Sequence, residues 1–218
     1  PIPGNNLAAA GLLDPVAASL AQSGLIPTVA SLGDRLVWDF VREPRNDEML
    51  GKIDHNFNPA HHSTVTYFHT SGQQELAGGS VPDWARGRDK ASQDTLSLRH
   101  TWVVKPSVVA EFRGSYAALA TERAVDEDLV GRNLEDFGAV WPIPVVGAPR
   151  YLPFIEIRDG WATSNTGLST FDQKNFRAGA TVSWVRGAHA FKFGYEAQRS
   201  EVTQFADSGS GGGGPIRF

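Results

Sequence analysis

The 218-residue chain contains no cysteine and a single methionine. Without cysteine it has neither disulfide bonds nor thiolate metal sites, which suits a protein exported through an oxidising compartment. No apolar run approaches the roughly 18 residues that a membrane-spanning helix requires. The net charge is −4 and the basic residues are scattered, so nucleic acid is not an expected partner.

The chain is instead rich in residues of turns and strands. It has 23 glycines and 13 prolines, and aromatic residues make up 10% of it. Residues 1–4 carry no initiating methionine and begin no basic and apolar leader. We therefore expect an internal or processed piece of a longer protein.

One short helix is predicted near the start. Asp14 is a suitable N-cap, Pro15 suits the first helical position, and Gly24 follows the segment 16–22 as a C-terminal stop. We place this helix within a loop, residues 1–34, that leads into the strands.

From there on, the hydrophobic pattern has a period of two, which is typical of strands with one apolar and one polar face. The alternation is clearest in four segments and weaker in three others. The clear segments are 95–103, 109–118, 176–184 and 191–198, and the weaker ones are 36–42, 49–57 and 63–69. We predict about seven strands within residues 35–204.

The connections between the strands alternate in length. Residues 58–62, 105–107 and 186–189 are tight turns with proline or glycine, whereas 70–92 and 122–169 are long and polar. A Gly-rich loop, 205–218, ends the sequence. Short turns at one end and long loops at the other are typical of outer-membrane barrels, as are strands of ~9–11 residues.

Aromatic residues lie close to the tight turns, on the apolar side of their strands. They are Phe57, Trp102, Phe112, Trp184 and Phe191. This placement predicts an aromatic girdle at a membrane interface. The fold class is therefore all-β: part of an antiparallel transmembrane β-barrel with a short N-terminal helix. The alternative is a soluble β-sandwich that serves in carbohydrate binding or adhesion.

Four segments resemble one family in the same order along the chain. The run 50–57 with the following Tyr67-Phe68, and the run 183–196 with its tight turn, are similar to paired barrel strands of TonB-dependent outer-membrane receptors, the Oar-like group in particular. The segments 14–17 and 98–103 resemble the same group.

The resemblance implies a 22-stranded barrel closed by an N-terminal plug. Such a receptor imports a scarce nutrient across the outer membrane of a Gram-negative bacterium when the TonB complex pulls on the plug. Siderophore, glycan and peptide remain open as the nutrient. The chain contains neither the plug nor the TonB-contacting segment, so its expected partners are membrane lipid, the plug and further strands of the parent protein, and TonB through the missing region.

The polar sides of the strands carry charges of both signs that would face the lumen. These candidates for ligand binding are Lys52, Asp54, Arg99, Glu111, Arg113, Arg177, Lys192 and Glu196. Cross-strand ion pairs and plug contacts are favoured over substrate contacts for them. In the long segment 122–169 we expect 143–154 to pack on itself, and Trp161 is a further candidate for recognition.

No cofactor, metal site or enzymatic activity is predicted. His55, His61 and His62 invite a metal site, but side chains of adjacent residues in a turn would point apart. Asp54, His55, Ser63 and His69 are the nearest approach to a catalytic set, and no known catalytic motif contains them. The glycines at 211–214 lack the lysine and helix of a phosphate-binding loop.

Overall fold

A computed structural model describes residues 9–25, 39–76, 81, 84, 86–140, 152–156, 162–163, 167–206 and 216–217. The loop candidate Trp161 and the glycines at 211–214 lie outside these residues, and so do positions 143–151 of the loop expected to pack on itself.

The predicted helix is confirmed as α1 (Pro15–Gln22). Asp14 caps it: its Oδ1 accepts hydrogen bonds from the backbone N–H groups of Val16 at 2.8 Å and Ala17 at 3.2 Å. Gly24 follows with a left-handed φ of +78°. In the described part of the chain, none of the helices has the length and apolar character needed to cross a membrane.

Strands make up most of the described residues. They are β1 (Arg45–Asn58), β2 (His61–Leu76), β3 (Gly87–Lys105), β4 (Val108–Val125), β5 (Ile155–Glu156), β6 (Ser169–Arg186), β7 (His189–Ala206) and β8 (Ile216–Arg217). One antiparallel sheet has the order β1-β2-β3-β4-β6-β7, and β5 pairs with β8 in parallel. Within the described residues β1 and β7 are edges, so the sheet is not closed.

Six of the seven predicted strands are confirmed. The first prediction, a strand over 36–42, is wrong for the residues of it that the structure describes. Residues 39–42 form no strand, while 36–38 lie outside the described residues. Pro44 follows this segment and has no N–H for a ladder, so pairing begins only at Arg45. The confirmed strands are longer than predicted. The long connections shrink accordingly to 77–86 and 126–168.

Three two-residue turns join the hairpins at one end of the sheet, which we name the short-turn end. They are Pro59-Ala60, Pro106-Ser107 and Gly187-Ala188. Gly187 has φ +61°, a conformation that other residues adopt at a cost. Neighbouring turns are also linked, because Val103 N donates to Ala60 O at 2.8 Å and Val185 N to Ser107 O at 2.9 Å. The predicted tight turns are confirmed.

The opposite end, the long-loop end, carries a small hydrophobic cluster. This loop core brings together a residue just after α1 and residues of both long connections: Leu25, Val81, Trp84, Leu134 and Leu152. Trp84 is 1% exposed, and its Nε1 donates to the carbonyl of Pro153 at 2.8 Å. A short 3-10 helix (Leu134–Phe137) lies within the cluster. The described residues 152–154 agree with the expected packing of this loop.

Candidate functional site

The sheet has two chemically different faces. Pairing register places residues of successive strands side by side, and partners across a ladder point to the same face. One row therefore contains Ile53, Val65, Leu98, Gly114, Ala178 and Ala197. We call the side to which these residues point the apolar face, and the other side the polar face.

Protein does not cover the apolar face in the part of the chain that is described. Ile53 is 69% exposed, Phe193 62% and Leu98 47%. The only other sheet among the described residues is the two-stranded pair of β5 and β8. A soluble sandwich would bury this face in a second sheet, so the observed exposure favours contact with lipid.

The apolar face is about as tall as a membrane. On β6 its apolar residues run from Trp184 to Phe176, about 27 Å along a strand at ~3.4 Å per residue. Tilted by ~40°, this corresponds to a band of roughly 21 Å, close to the ~25 Å of outer-membrane barrels. Beyond it, Lys174 and Asp172 occupy the same face, so the strands continue past the band.

Aromatic rings cluster on the apolar face beside the short-turn end. Trp184 and Phe191 have ring centroids 5.4 Å apart, and His61 stacks on Trp102 at 5.4 Å. His100 links Phe57 at 6.5 Å to Phe112 at 6.3 Å. All five predicted girdle residues thus lie at one end of the band.

The three histidines considered for a metal site do not all lie on one face of the sheet. His61 and His62 lie on opposite faces, as expected for neighbours in a strand: His61 Nδ1 lies 3.1 Å from His100 Nε2, whereas His62 Nδ1 lies 2.6 Å from Asn56 Oδ1. Ser63 Oγ lies 2.7 Å from His100 Nδ1. Among the described residues, no group of three His, Cys, Asp or Glu side chains could hold a metal ion.

The polar face carries the predicted lumen residues, all eight on the same side of the sheet. They occupy four successive rows that lead towards the short-turn end. The first row contains Lys52 and Arg177. The second contains Asp54, Arg99, Arg113 and Glu196, the third Glu111, and the fourth Lys192. Their role in ligand binding stays a prediction.

Ion pairs connect these side chains within and across strands. Lys52 Nζ lies 2.8 Å from Asp54 Oδ2, and Thr64 Oγ1 donates to Asp54 Oδ1 at 2.6 Å. Arg177 Nε lies 3.5 Å from Glu196 Oε1. The expected cross-strand ion pairs are therefore present, although all these groups are partly exposed and each pair contributes little to stability.

Arg99 and Arg113 form the densest charge on this face. They are direct cross-strand partners, and both approach Oε1 of Glu111, Arg99 Nε at 3.8 Å and Arg113 Nε in a short hydrogen bond. Both guanidiniums border a concavity of about 460 Å³ in the middle of the polar face. This concavity is the candidate functional site.

Sequence reasoning missed the uncharged residues of this concavity. Thr66, Ser97 and Ser115 lie side by side in one row, bounded by Lys52 and Arg177. Each is a polar residue in an alternating strand, and only the register reveals that the three are neighbours. The pairing register follows from the positions of the tight turns together with two bulges beside them, between Asn56 and Asn58 and between Val103 and Lys105.

The acidic run Asp126-Glu127-Asp128, in the long segment 122–169, has a partner that the sequence did not indicate. Arg86 Nη2 donates to Asp128 Oδ2 at 2.6 Å, and Arg86 Nη1 lies 3.9 Å from Asp126 Oδ2. These contacts join the two long connections at the long-loop end. The run thus serves loop packing in the described structure.

Comparison with known proteins agrees with the geometry of the two faces. No curated protein matches the chain. A family model described as outer membrane beta barrel domain matches residues 1–218, the whole sequence. The height of the apolar face, the polar face opposite it and the short turns at one end are features of such barrels. The chain belongs to the outer membrane β-barrel domain family.

Proposed function

We propose that this sheet is part of the wall of a TonB-dependent outer-membrane transporter that imports a scarce nutrient. The coarser role as barrel wall follows from the family and from the two faces of the sheet. The finer role rests on the resemblance of segments 50–57 and 183–196 to paired strands of Oar-like receptors.

One structural observation supports the transporter more than any other. The polar face forms a concave, charged wall at the height of the apolar band, with Arg99, Arg113 and Glu111 at its centre. A polar, charged inner wall of this kind lines the water-filled interior of barrels that pass polar solutes.

The proposal includes the orientation of the sheet. The short turns face the periplasm and the loop core lies outside the cell, as in outer-membrane barrels generally. The folded loops then meet the solute first, and the charged wall receives it next. The plug and the remaining strands of the parent protein close the barrel, and membrane lipid covers the apolar face.

The proposed protein performs transport and no bond chemistry. It takes no cofactor, it does not bind nucleic acid, and its host is a Gram-negative bacterium. The siderophore, glycan and peptide classes remain its candidate nutrients.

An uptake experiment tests this function. The full-length gene is deleted in its host, and uptake of labelled siderophores, glycans and peptides is compared with that of a strain lacking TonB. We expect one nutrient class to be lost in both strains, because energy reaches the barrel through TonB. Uptake that needs this protein but persists without TonB would show a passive channel and refute the proposal.

A further inference from the structure

The middle of the polar face contains a floor of hydroxyl groups. Thr66, Ser97 and Ser115 belong to three adjacent strands and share one row. Adjacent strands lie ~4.8 Å apart, so the three residues cover about 10 Å across the wall. Lys52 continues this row on β1 and Arg177 on β6, which places a cation at each side of the floor.

The next row towards the short-turn end contains two opposed arginines. Arg99 and Arg113 are direct cross-strand partners, an arrangement that costs free energy unless an anion lies between them. Glu111 is the anion that the described residues supply, and both guanidiniums use the same Oε1. One carboxylate offsets one of the two charges, so a positive charge remains at this point.

The neighbouring cations do not change this balance. Lys52 is paired with Asp54 at 2.8 Å, and Arg177 with Glu196 at 3.5 Å. Over these three rows, the described polar face has four cations and three carboxylates. The excess positive charge therefore belongs to Arg99 and Arg113.

Among the described residues, the side chains of the two arginines are exposed on the polar face. The exposed fraction of the side chain is 62% for Arg99 and 53% for Arg113, and both border the 460 Å³ concavity together with the hydroxyl floor. Gly179 lies opposite Arg113 in the same row. Gly179 also borders the concavity, and a Cβ there would be crowded against Tyr195 O at 3.1 Å.

We propose that this concavity binds the carboxylate groups of an anionic solute. The guanidiniums of Arg99 and Arg113 offer paired N–H donors that match the two oxygens of a carboxylate, and the hydroxyls of the floor donate to a second carboxylate or to solute oxygens. This inference rests on the proposed function and names its substrate class: a nutrient that carries several carboxylates.

Binding to the full-length protein in detergent tests the inference without any need for transport. The probe is tricarballylate, which has three carboxylates, and the matched ligand control is its uncharged triamide. By isothermal titration at low ionic strength we expect saturable binding of tricarballylate alone. The affinity should fall as salt is added, because the interaction is between partly exposed charges.

Three variants assign the site. We expect Arg99→Gln and Arg113→Gln each to weaken tricarballylate binding roughly tenfold, the scale of one charge-assisted pair of hydrogen bonds. Glu111→Gln should tighten it several-fold by removing the competing carboxylate, an effect that misfolding cannot mimic. Arg199→Gln is the control: Arg199 is paired with Glu201 at 2.7 Å on the other face, and its loss should change nothing.

The inference is overturned if tricarballylate does not bind the wild-type protein, if the triamide binds as well, or if both arginine variants bind like the wild type. If tricarballylate does not bind and the arginine variants are less stable than the wild type, the two guanidiniums pair with a carboxylate of the parent protein itself. If tricarballylate does not bind, uptake can still depend on TonB. If uptake does not depend on TonB, tricarballylate can still bind. The two experiments therefore test the two proposals separately.

Discussion

Two apolar regions of this chain have opposite surroundings. In the loop core, Trp84 is 1% and Leu152 2% exposed, whereas on the apolar face Ile53 is 69% and Tyr195 77% exposed. Both regions are rich in large hydrophobic side chains, yet only the first is covered by protein. The loop core is built to exclude water, and the apolar face is built to meet lipid.

The polar groups differ in the same way. Beside the loop core the buried polar residues Thr163 and Asn133 have protein partners: Thr163 Oγ1 accepts from Ile155 N at 2.7 Å, and Asn133 caps the 3-10 helix. In the interior strands β2, β3, β4 and β6, the backbone groups pair in ladders on both sides, as a structure in hydrocarbon requires. Three substitutions test this contrast, from the largest expected effect to the smallest.

Replacing Trp84 by alanine should open the loop core. A buried tryptophan leaves a large cavity when truncated, so we expect a loss of about 3–5 kcal/mol in the local opening free energy. Hydrogen exchange of the amides at 134–139 in the full-length protein measures it, with strand amides as the internal reference. Trp84→Phe keeps a ring but loses the bond to Pro153 and part of the ring volume, and it should cost about 2 kcal/mol. Unchanged exchange at 134–139 would show that the core does not hold the loops.

Arginine at Leu98 should destabilise the membrane-embedded sheet by about 2–4 kcal/mol, because it places a charge within the apolar band on the lipid side. The matched control is Thr95→Arg, on the polar face of the same strand and outside the concavity, where we expect almost no change. Urea unfolding of the full-length protein in lipid vesicles compares the two. Equal losses for both variants would contradict the assignment of the faces.

Removing the cap at Asn133 should have the smallest effect. Its side chain accepts from Glu135 N at 2.7 Å, while Asp136 Oδ2 accepts from Asn133 N at 2.9 Å. Asn133→Ala should therefore cost about 1 kcal/mol, detected as faster exchange at 135–139 only. Asn133→Asp preserves the acceptor and should restore protection. A loss that spreads into β4 and β6 would mean that loop core and sheet unfold together.

The sequence predicted the sheet well where the membrane constrains it. Within the band, one side must be apolar and the other polar, so the alternation in 95–103 or 176–184 identifies both strand and face. Beyond the band both sides meet water. The extensions at Gly87–Asp94 and Ser169–Asn175 thus have no period-two signal, although their hydrogen bonds continue without interruption.

The exact pairing depended on features that composition does not reveal. A bulge between Val103 and Lys105 shifts the register of the hairpin by one, and only with this shift does Arg99 lie opposite Arg113. Trp84 was not expected in a core because its partners come from distant segments of the chain. Neither feature has a local sequence signal, since each depends on contacts made after the hairpins form.

The position of the short turns has a consequence for how such a wall can vary. The chain enters β1 and leaves β7 at the same long-loop end, so the six strands are a block of three complete hairpins. Adding or removing a hairpin from such a block changes the girth of a barrel without inverting the orientation of any other strand. Duplication of hairpins is thus a route by which a wall of this kind could be widened for larger cargo while every loop stays on its own side of the membrane.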